Sequence, residues 1–243
     1  MSGFKDRFYS MQDPELGLGN LDARHETLLS CLEGIIGRDV LEIACGSGDF
    51  AKKVIDRFKL GKIYGADISE QAVKLAAEKG VEGACLNLDK DNLPYKDDFF
   101  DTVICGEVIE HLVDPDHLLE EIYRVLKVDG CLLITTPNLA SWYNRVLLLF
   151  GYQPFFTSIS IRHTYPKPVP IHSCGHLCSY TLGALKFLLE KYHFKTVKCT
   201  GLKINESVGF GKKHRWLAKT ANFVFRSPSL SSGICILAKK VKS

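Results

Sequence analysis

Residues 40–51 read Val-Leu-Glu-Ile-Ala-Cys-Gly-Ser-Gly-Asp-Phe-Ala. An apolar run enters Gly46-Ser47-Gly48, and Ala51 completes the form G-x-G-x-x-A. Such a stretch marks a strand turning into a helix, with glycines where a ligand must approach the backbone. The unusual residue is Glu42, an acid inside the strand, four positions before Gly46. A pyrophosphate at this turn wants backbone N–H groups and a helix N-terminus, and a neighbouring carboxylate would repel it. The glycine loop and the acid together therefore point to a ligand that carries positive charge.

Outward from this turn, strand and helix patterns alternate. Apolar spacing at Leu28, Leu29, Leu32, Ile35 and Ile36 predicts a helix before Arg38. Strands are expected at Val40–Ala44, Lys62–Ala66, Glu82–Asn87, Asp101–Cys105 and Cys131–Thr135, with helices at Phe50–Phe58 and Glu70–Lys79 between them. Asp114-Pro115 supplies an N-cap and a first-turn proline for a further helix running to about Lys127, ahead of Asp129-Gly130. After Pro137 the rhythm breaks: Asn138–Phe150 reads as an apolar helix and Gly151–Ser173 as a loop or lid. Tyr180–Tyr192 then reads as a helix, and Lys195–Ile204 and Gly233–Lys239 as two final strands. The expected class is α/β: a doubly wound, mostly parallel seven-stranded sheet. Residues 1–37 form a helical N-terminal extension and residues 38–243 the main domain, with an insertion or lid at 138–179 and a basic excursion at 205–232.

The chain has 243 residues, 46% hydrophobic and 24% charged, ordinary values for a globular domain with a sizeable core. Val146–Phe150, among the longest apolar runs, is far short of a membrane span, and the first residues show no apolar signal core. A cytoplasmic location is expected. Nine cysteines are scattered, several (Cys45, Cys105, Cys131, Cys235) inside apolar segments, which suits reduced, buried thiols rather than a disulfide framework. Charge is uneven: residues 195–243 carry net +10 and the first 194 carry −7. That basic stretch reads first as a solvated surface and second as a contact for an anionic partner.

Four segments in order, VLEIACGSG, YGADIS, NLDKDNLPYKDDFFDTVICGEVIEHL and LKVDGCLLITTPN, resemble the class I S-adenosylmethionine-dependent methyltransferases, closest to the ubiquinone-type O-methyltransferase branch. The resemblance covers about residues 38–137 strongly and the segment from His176 to Leu185 more weakly, and implies a Rossmann-like methyltransferase fold. It explains Glu42, because this cofactor brings an ammonium and a sulfonium. By the resemblance Glu42, Gly46 and Gly48 would surround the methionine end, and Asp67 would take the ribose with Ile68 against the adenine. Asp89 would approach the adenine amino group with Lys90 beside it, and Cys105 and Gly106 would offer backbone groups under the sulfonium. Ala44 is a departure, standing where the family often has glycine.

Methyl transfer needs an acceptor held about 3 Å from the methyl carbon and, for a hydroxyl, a base. Glu107, Glu110 and His111 share a face if a helical turn forms after the fourth strand, and His111 suits a base near neutral pH. His111, Glu107 and His176 are the expected catalytic residues. Glu-x-x-Glu-His with a distant His also resembles the ligand group of certain metal-dependent O-methyltransferases, including small-RNA 2′-O-methyltransferases. By that likeness a divalent metal would sit on Glu107, Glu110, His111 and His176, against the plainer reading of a solvated turn. The run from His172 to Cys178 alternates His and Cys; extended it is too long for all four to meet one zinc ion, but a turn at Gly175 could bring two or three of them together.

The aromatic insertion Trp142–Phe156 could line an acceptor pocket or be an ordinary packed helix, and Arg162 and His163 lie in the same region. Trp216, Leu217, Thr220, Phe223 and Val224 follow helical spacing among basic residues, as on an anionic membrane surface or in a packed connection. The expected partner is a small or lipid-like acceptor; no RNA-binding module is recognisable, so nucleic acid is not expected. Three other readings remain: a nicotinamide-dependent oxidoreductase, disfavoured by Glu42; a non-catalytic cofactor-binding module that docks on an anionic partner; and a metal-dependent RNA 2′-O-methyltransferase.

Overall fold

The computed structural model describes residues 21–160, 163, 175–202 and 227–242. Their elements run α1 (Leu21–Leu32), β1 (Val40–Ile43), α2 (Asp49–Phe58), β2 (Ile63–Asp67), α3 (Glu70–Ala77), β3 (Val81–Cys85) and β4 (Phe100–Gly106). A short 3₁₀ turn (Ile109–His111) follows, then α4 (Pro115–Val125), β5 (Leu126–Pro137), α5 (Trp142–Leu149), α6 (Leu182–Lys191), β6 (Phe194–Leu202) and β7 (Gly233–Lys240).

The strands form one seven-stranded sheet in the order β3-β2-β1-β4-β5-β7-β6. β7 is antiparallel to both of its neighbours, and the pairs from β3 to β5 are parallel. The strand order therefore reverses between β1 and β4, and ligands in such sheets sit at the carboxyl ends of the strands flanking that reversal. The glycine loop leaves β1 there, and Glu107 leaves β4 beside it.

The parallel strands are apolar on both faces because both faces are covered. In β4, Val103 and Cys105 join one core with Leu118, Leu119, Ile122, Leu185 and Leu189 from α4 and α6. Ile104 points to the other core, with Leu28, Leu29 and Leu32 of α1 and Ala51 and Val54 of α2. The N-terminal helix is thus part of the main core. Cys45, Cys105, Cys131 and Cys235 are buried free thiols, as their apolar settings predict.

Local chemistry sets the helix starts. Asp114 accepts a hydrogen bond from His117 N–H (3.0 Å) with Pro115 behind it, and Ser69 and Thr181 accept from Ala72 and Ala184. Two boundaries move for identifiable reasons. The helix expected to reach Lys127 stops at Val125, because Leu126 turns extended and pairs with Phe100, lengthening β5. The helix expected from Asn138 starts at Trp142, because the Asn138 side chain accepts from Ala140 N–H and its backbone bridges Tyr180.

Candidate active site

Leaving β1, Ala44 and Gly46 both take positive φ (52° and 51°), and Gly48 follows at 76° as the N-cap of α2. The preference for glycine at Ala44 is explained by this backbone, which an alanine adopts at a cost of about 1 kcal/mol. A Cβ at Gly48 would stand 2.9 Å from Ala76 Cα, so the loop packs directly on α3. A Cβ at Gly46 would meet nothing within 4 Å: this part of the loop faces open space.

Glu42 is buried, at 8% exposure, between Gly65 and Ile104 of the flanking strands. Its Oε2 has no hydrogen-bond partner. Burial, with Asp67 and Asp49 nearby, pushes its carboxyl up to about 8. A buried acid without a full set of partners fits an ammonium of a ligand entering the loop, which is what the methionine end of S-adenosylmethionine would bring.

Asp67, at the end of β2, accepts from Gly46 N–H (2.9 Å, Oδ2) and Ser69 N–H (2.9 Å, Oδ1). It therefore fixes the glycine loop to the β2–α3 turn, a role the sequence reading did not include. Each carboxylate oxygen keeps a lone pair for a further donor. Ile68 beside it is half-buried. Asp89 is similarly tied, accepting from Val113 N–H (2.7 Å) and Asp114 N–H (3.3 Å), while Lys90 is exposed in the adjoining turn. That loop is anchored from below: Arg124 donates to Leu93 O and Tyr95 O, and Glu121 accepts from Leu93 N–H. Cys105 is fully buried, its thiol pushed up by burial, and Gly106 ends the strand next to Thr135.

The acid and histidine residues after β4 divide into two sets. Glu110, His111 and His176 each offer a ligating atom within 4.8 Å of the others. Glu110 is 1% exposed and accepts from Thr136 Oγ1 at Oε2 (3.0 Å), while its Oε1 lies 4.0 Å from His176 Nε2. Burial and the neighbouring Glu107 push the Glu110 carboxyl well above its usual range. His176 donates from Nδ1 to Phe156 O (2.7 Å), leaving Nε2 towards Glu110, and burial lowers its pKa. The His111 and His176 rings meet edge to face at 4.7 Å. Backbone bonds from Leu177 and Cys178 N–H to Glu110 O hold the two segments together.

Glu107 does not join this group. Its φ of 56° places it before the 3₁₀ turn rather than on a shared helical face, and its carboxylate pairs with Arg24 of α1 at 2.7 Å. The expected i, i+3, i+4 arrangement is corrected accordingly. Arg24 and Thr136 were missed by sequence reasoning: Arg24 lies over seventy residues from its partner, and Thr136 was simply a strand residue.

Beside Glu110 and His176 lies a narrow recess whose walls include Thr136, Pro137, Leu139, Phe155, Phe156 and Cys178. Of the aromatic insertion, Phe155 and Phe156 reach the wall of this recess, and the helix Trp142–Leu149 does not. His163 is exposed. Arg162, His172, Cys174 and the residues from Trp216 to Val224 lie outside the described residues, so those expectations are not addressed. His176 turns to Glu110 and His111, and Cys178 to the recess.

Comparison with known proteins adds the following. A family model described as a methyltransferase domain matches residues 41–134. A demethylmenaquinone methyltransferase of Lactobacillus johnsonii is 28% identical, over 85% of this chain and 89% of that protein. A ubiquinone/menaquinone biosynthesis C-methyltransferase of Hydrogenovibrio crunogenus is 35% identical over 141 residues, 53% of this chain and 55% of that protein. Among solved structures, a SAM-dependent methyltransferase from Archaeoglobus fulgidus superposes with a TM-score of 0.61 at 21% identity, covering 91% of this chain and 95% of that one. Another from Thermotoga maritima gives 0.59 at 20% identity, covering 90% of each chain. At these identities the structural likeness speaks for the fold.

Proposed function

The chain belongs to the class I S-adenosylmethionine-dependent methyltransferases, and from that premise we propose that it methylates an oxygen of a small or lipid-like hydroxylated acceptor seated beside Glu110, His111 and His176. The observation that carries this reading is the placement of those three residues, within 4.8 Å of one another, on and beside the wall of an aromatic-lined recess.

The bound cofactor supplies an electrophilic methyl group on a positively charged sulfur. Glu42 would take its ammonium, which would answer the unpartnered Oε2, and Gly46 and Gly48 would let the loop approach. Asp67 would take ribose hydroxyls with its remaining lone pairs, Ile68 would lie against the adenine, and Asp89 with Lys90 would close that end. Cys105 and Gly106 would offer backbone groups at the reacting end. Phe155 and Phe156 orient the acceptor and keep water out, which is where most of the rate gain in such a displacement arises. His111 accepts the proton of the acceptor hydroxyl as the oxygen–methyl bond forms, and passes it to solvent.

The chemistry of Glu110, His111 and His176 also fits a divalent metal: one carboxylate with an orphaned oxygen, and two imidazoles, one of them kept neutral by burial. An ion held there would lower the pKa of a hydroxyl in the recess. Glu107, engaged by Arg24, is not needed as a ligand.

The names of the relatives support a second reading, transfer to a ring carbon of a quinol-type acceptor. Incubation with methyl-labelled cofactor and a panel of catechols and demethylated quinols separates the two. An O–CH₃ product resonance supports the proposal, and a C–CH₃ product replaces it with the second reading. A protein that binds the cofactor but labels none of these acceptors, with or without added metal, contradicts both.

A further inference from the structure

Helix α5 meets the rest of the fold through polar atoms. Asn144 is fully buried and bonds to Asn138 O, Phe155 O and Phe155 N–H, while Val146, Leu148 and Leu149 of the same helix are exposed. A helix of a globular domain normally buries its apolar stripe instead. This reversal brings Tyr143, the neighbour of Asn144, to the active-site edge. Its ring meets Phe155 edge to face at 5.7 Å, and Phe155 lines the recess. Its hydroxyl is buried and has no hydrogen-bond partner among the described residues. Burial pushes the phenol up to about 12, and Arg24 and Glu107 lie close enough to act on it.

Glu107 presents a second unmatched atom. Its Oε2 faces Arg24 at 2.7 Å, and its Oε1 is buried without a hydrogen bond. The same carboxylate acts on Glu110 and His176, which line the recess, so Glu107 is a neighbour of the recess and of Tyr143 alike. It also follows Gly106 directly, at the end of β4. Buried hydroxyls and carboxylate oxygens are nearly always paired in folded proteins, because leaving them dry and unmatched costs stability. Here the Tyr143 O–H is a donor without an acceptor, and Glu107 Oε1 an acceptor without a donor. A single neutral hydroxyl can accept from the first and donate to the second. A carboxylate on the ligand would face the Glu107 carboxylate, and a cation would meet Arg24.

We propose that Tyr143 and Glu107 form a second seat for the acceptor, holding an uncharged hydroxyl next to the oxygen that is methylated, with the Phe155 ring turning aside to admit it. Tyr143 is then a specificity-determining residue: it selects acceptors that carry this second group. The inference rests on the methyl-transfer reading for the acceptor's place beside Glu110, His111 and His176.

The test is calorimetric binding of two probes, catechol and phenol, to the full-length protein saturated with S-adenosylhomocysteine, with and without magnesium. The wild type is expected to hold catechol roughly tenfold or more tightly than phenol, because only catechol fills the second seat. Tyr143→Phe keeps the ring against Phe155 and removes only the hydroxyl, and is expected to lose most of that difference through weaker catechol binding. An unchanged melting temperature and unchanged titration with S-adenosylhomocysteine would verify its fold. A wild type that binds neither probe, or binds both equally, overturns the inference. So does a full difference retained in Tyr143→Phe, which is what chelation of a metal by both hydroxyls would give. No methyl group moves in these complexes, so a carbon-methylated product would overturn the oxygen-transfer reading without deciding the probe result.

Discussion

Arg24 and Glu107 pair at 2.7 Å, joining the N-terminal helix to the residue that leaves β4. Their side chains are only 16% and 24% exposed. Burial alone would lower the Arg24 pKa, but Glu107 and Glu110 beside it raise it overall. Removing one partner of such a pair leaves a charge in a poorly solvated place. Arg24→Ala should destabilise the protein by about 2 kcal/mol, below the range for fully buried pairs because some solvent reaches this one. Arg24→Ala combined with Glu107→Gln should recover part of that loss. Urea unfolding of the four proteins checks it; a double variant no more stable than Arg24→Ala would show that the ion pair is not what α1 contributes.

Glu42 gives the free protein a pH dependence. Its folded pKa, about 8, lies above the unfolded value near 4.5. The native state therefore keeps a proton that the unfolded chain releases, so this residue's contribution to stability falls as pH rises through that window and levels off above about 8. At about 1.4 kcal/mol per unit the penalty reaches about 3 kcal/mol by pH 7. Glu42→Gln should remove the dependence and make the cofactor-free protein more stable at pH 8 than the wild type. Thermal unfolding from pH 5 to 8.5 reads the difference, and a variant less stable at every pH would contradict it.

Gly48 combines a left-handed backbone with a close approach to α3. Gly48→Ala should cost about 2 kcal/mol and weaken cofactor binding as well, since the loop must shift to admit the Cβ. Gly46→Ala meets open space, so beyond about 1 kcal/mol for its left-handed φ it should lose binding more than stability. The two substitutions, compared by denaturation and by titration, should therefore rank differently on the two scales.

The three-residue group makes a prediction that needs no substrate. Cobalt(II), added as a spectroscopic stand-in for zinc, should give visible absorption bands with the wild type that are lost in Glu110→Gln and in His176→Ala. Glu107→Gln should keep them, because Glu107 is turned to Arg24. Bands that survive Glu110→Gln would place any metal elsewhere.

Most of the fold could be read from the alternation of strand and helix patterns, because β1, β4 and β5 are buried on both faces and so appear as short, continuous apolar runs between turn signals. The glycine loop and Asp67 were legible because their chemistry is local: strand, tight turn, helix start, and an acid about twenty residues on. The composition of the Glu110, His111 and His176 group was visible only as a resemblance, and its geometry was not, because Glu107 leaves the helical register through a left-handed φ that no periodicity signals. Arg24 was hidden for a different reason: an ion pair between residues 24 and 107 depends on how α1 lies against the sheet. The apolar character of α5 was plain in the sequence, but its direction was not, since an apolar run is ordinarily assigned to the core.

The most direct test of the account is calorimetric titration of S-adenosylhomocysteine into wild type, Glu42→Gln and Asp67→Ala at pH 7, each in two buffers of different ionisation enthalpy. If Glu42 receives the cofactor's ammonium, the wild type should bind with release of a proton, seen as a buffer-dependent heat, because an acid with a pKa of about 8 must ionise to make the pair. Glu42→Gln should lose that proton signal and bind roughly a hundredfold more weakly, and Asp67→Ala should bind weakly but keep the proton release. Equal affinity for wild type and Glu42→Gln, with no buffer dependence in either, would contradict the placement of the cofactor at the end of β1.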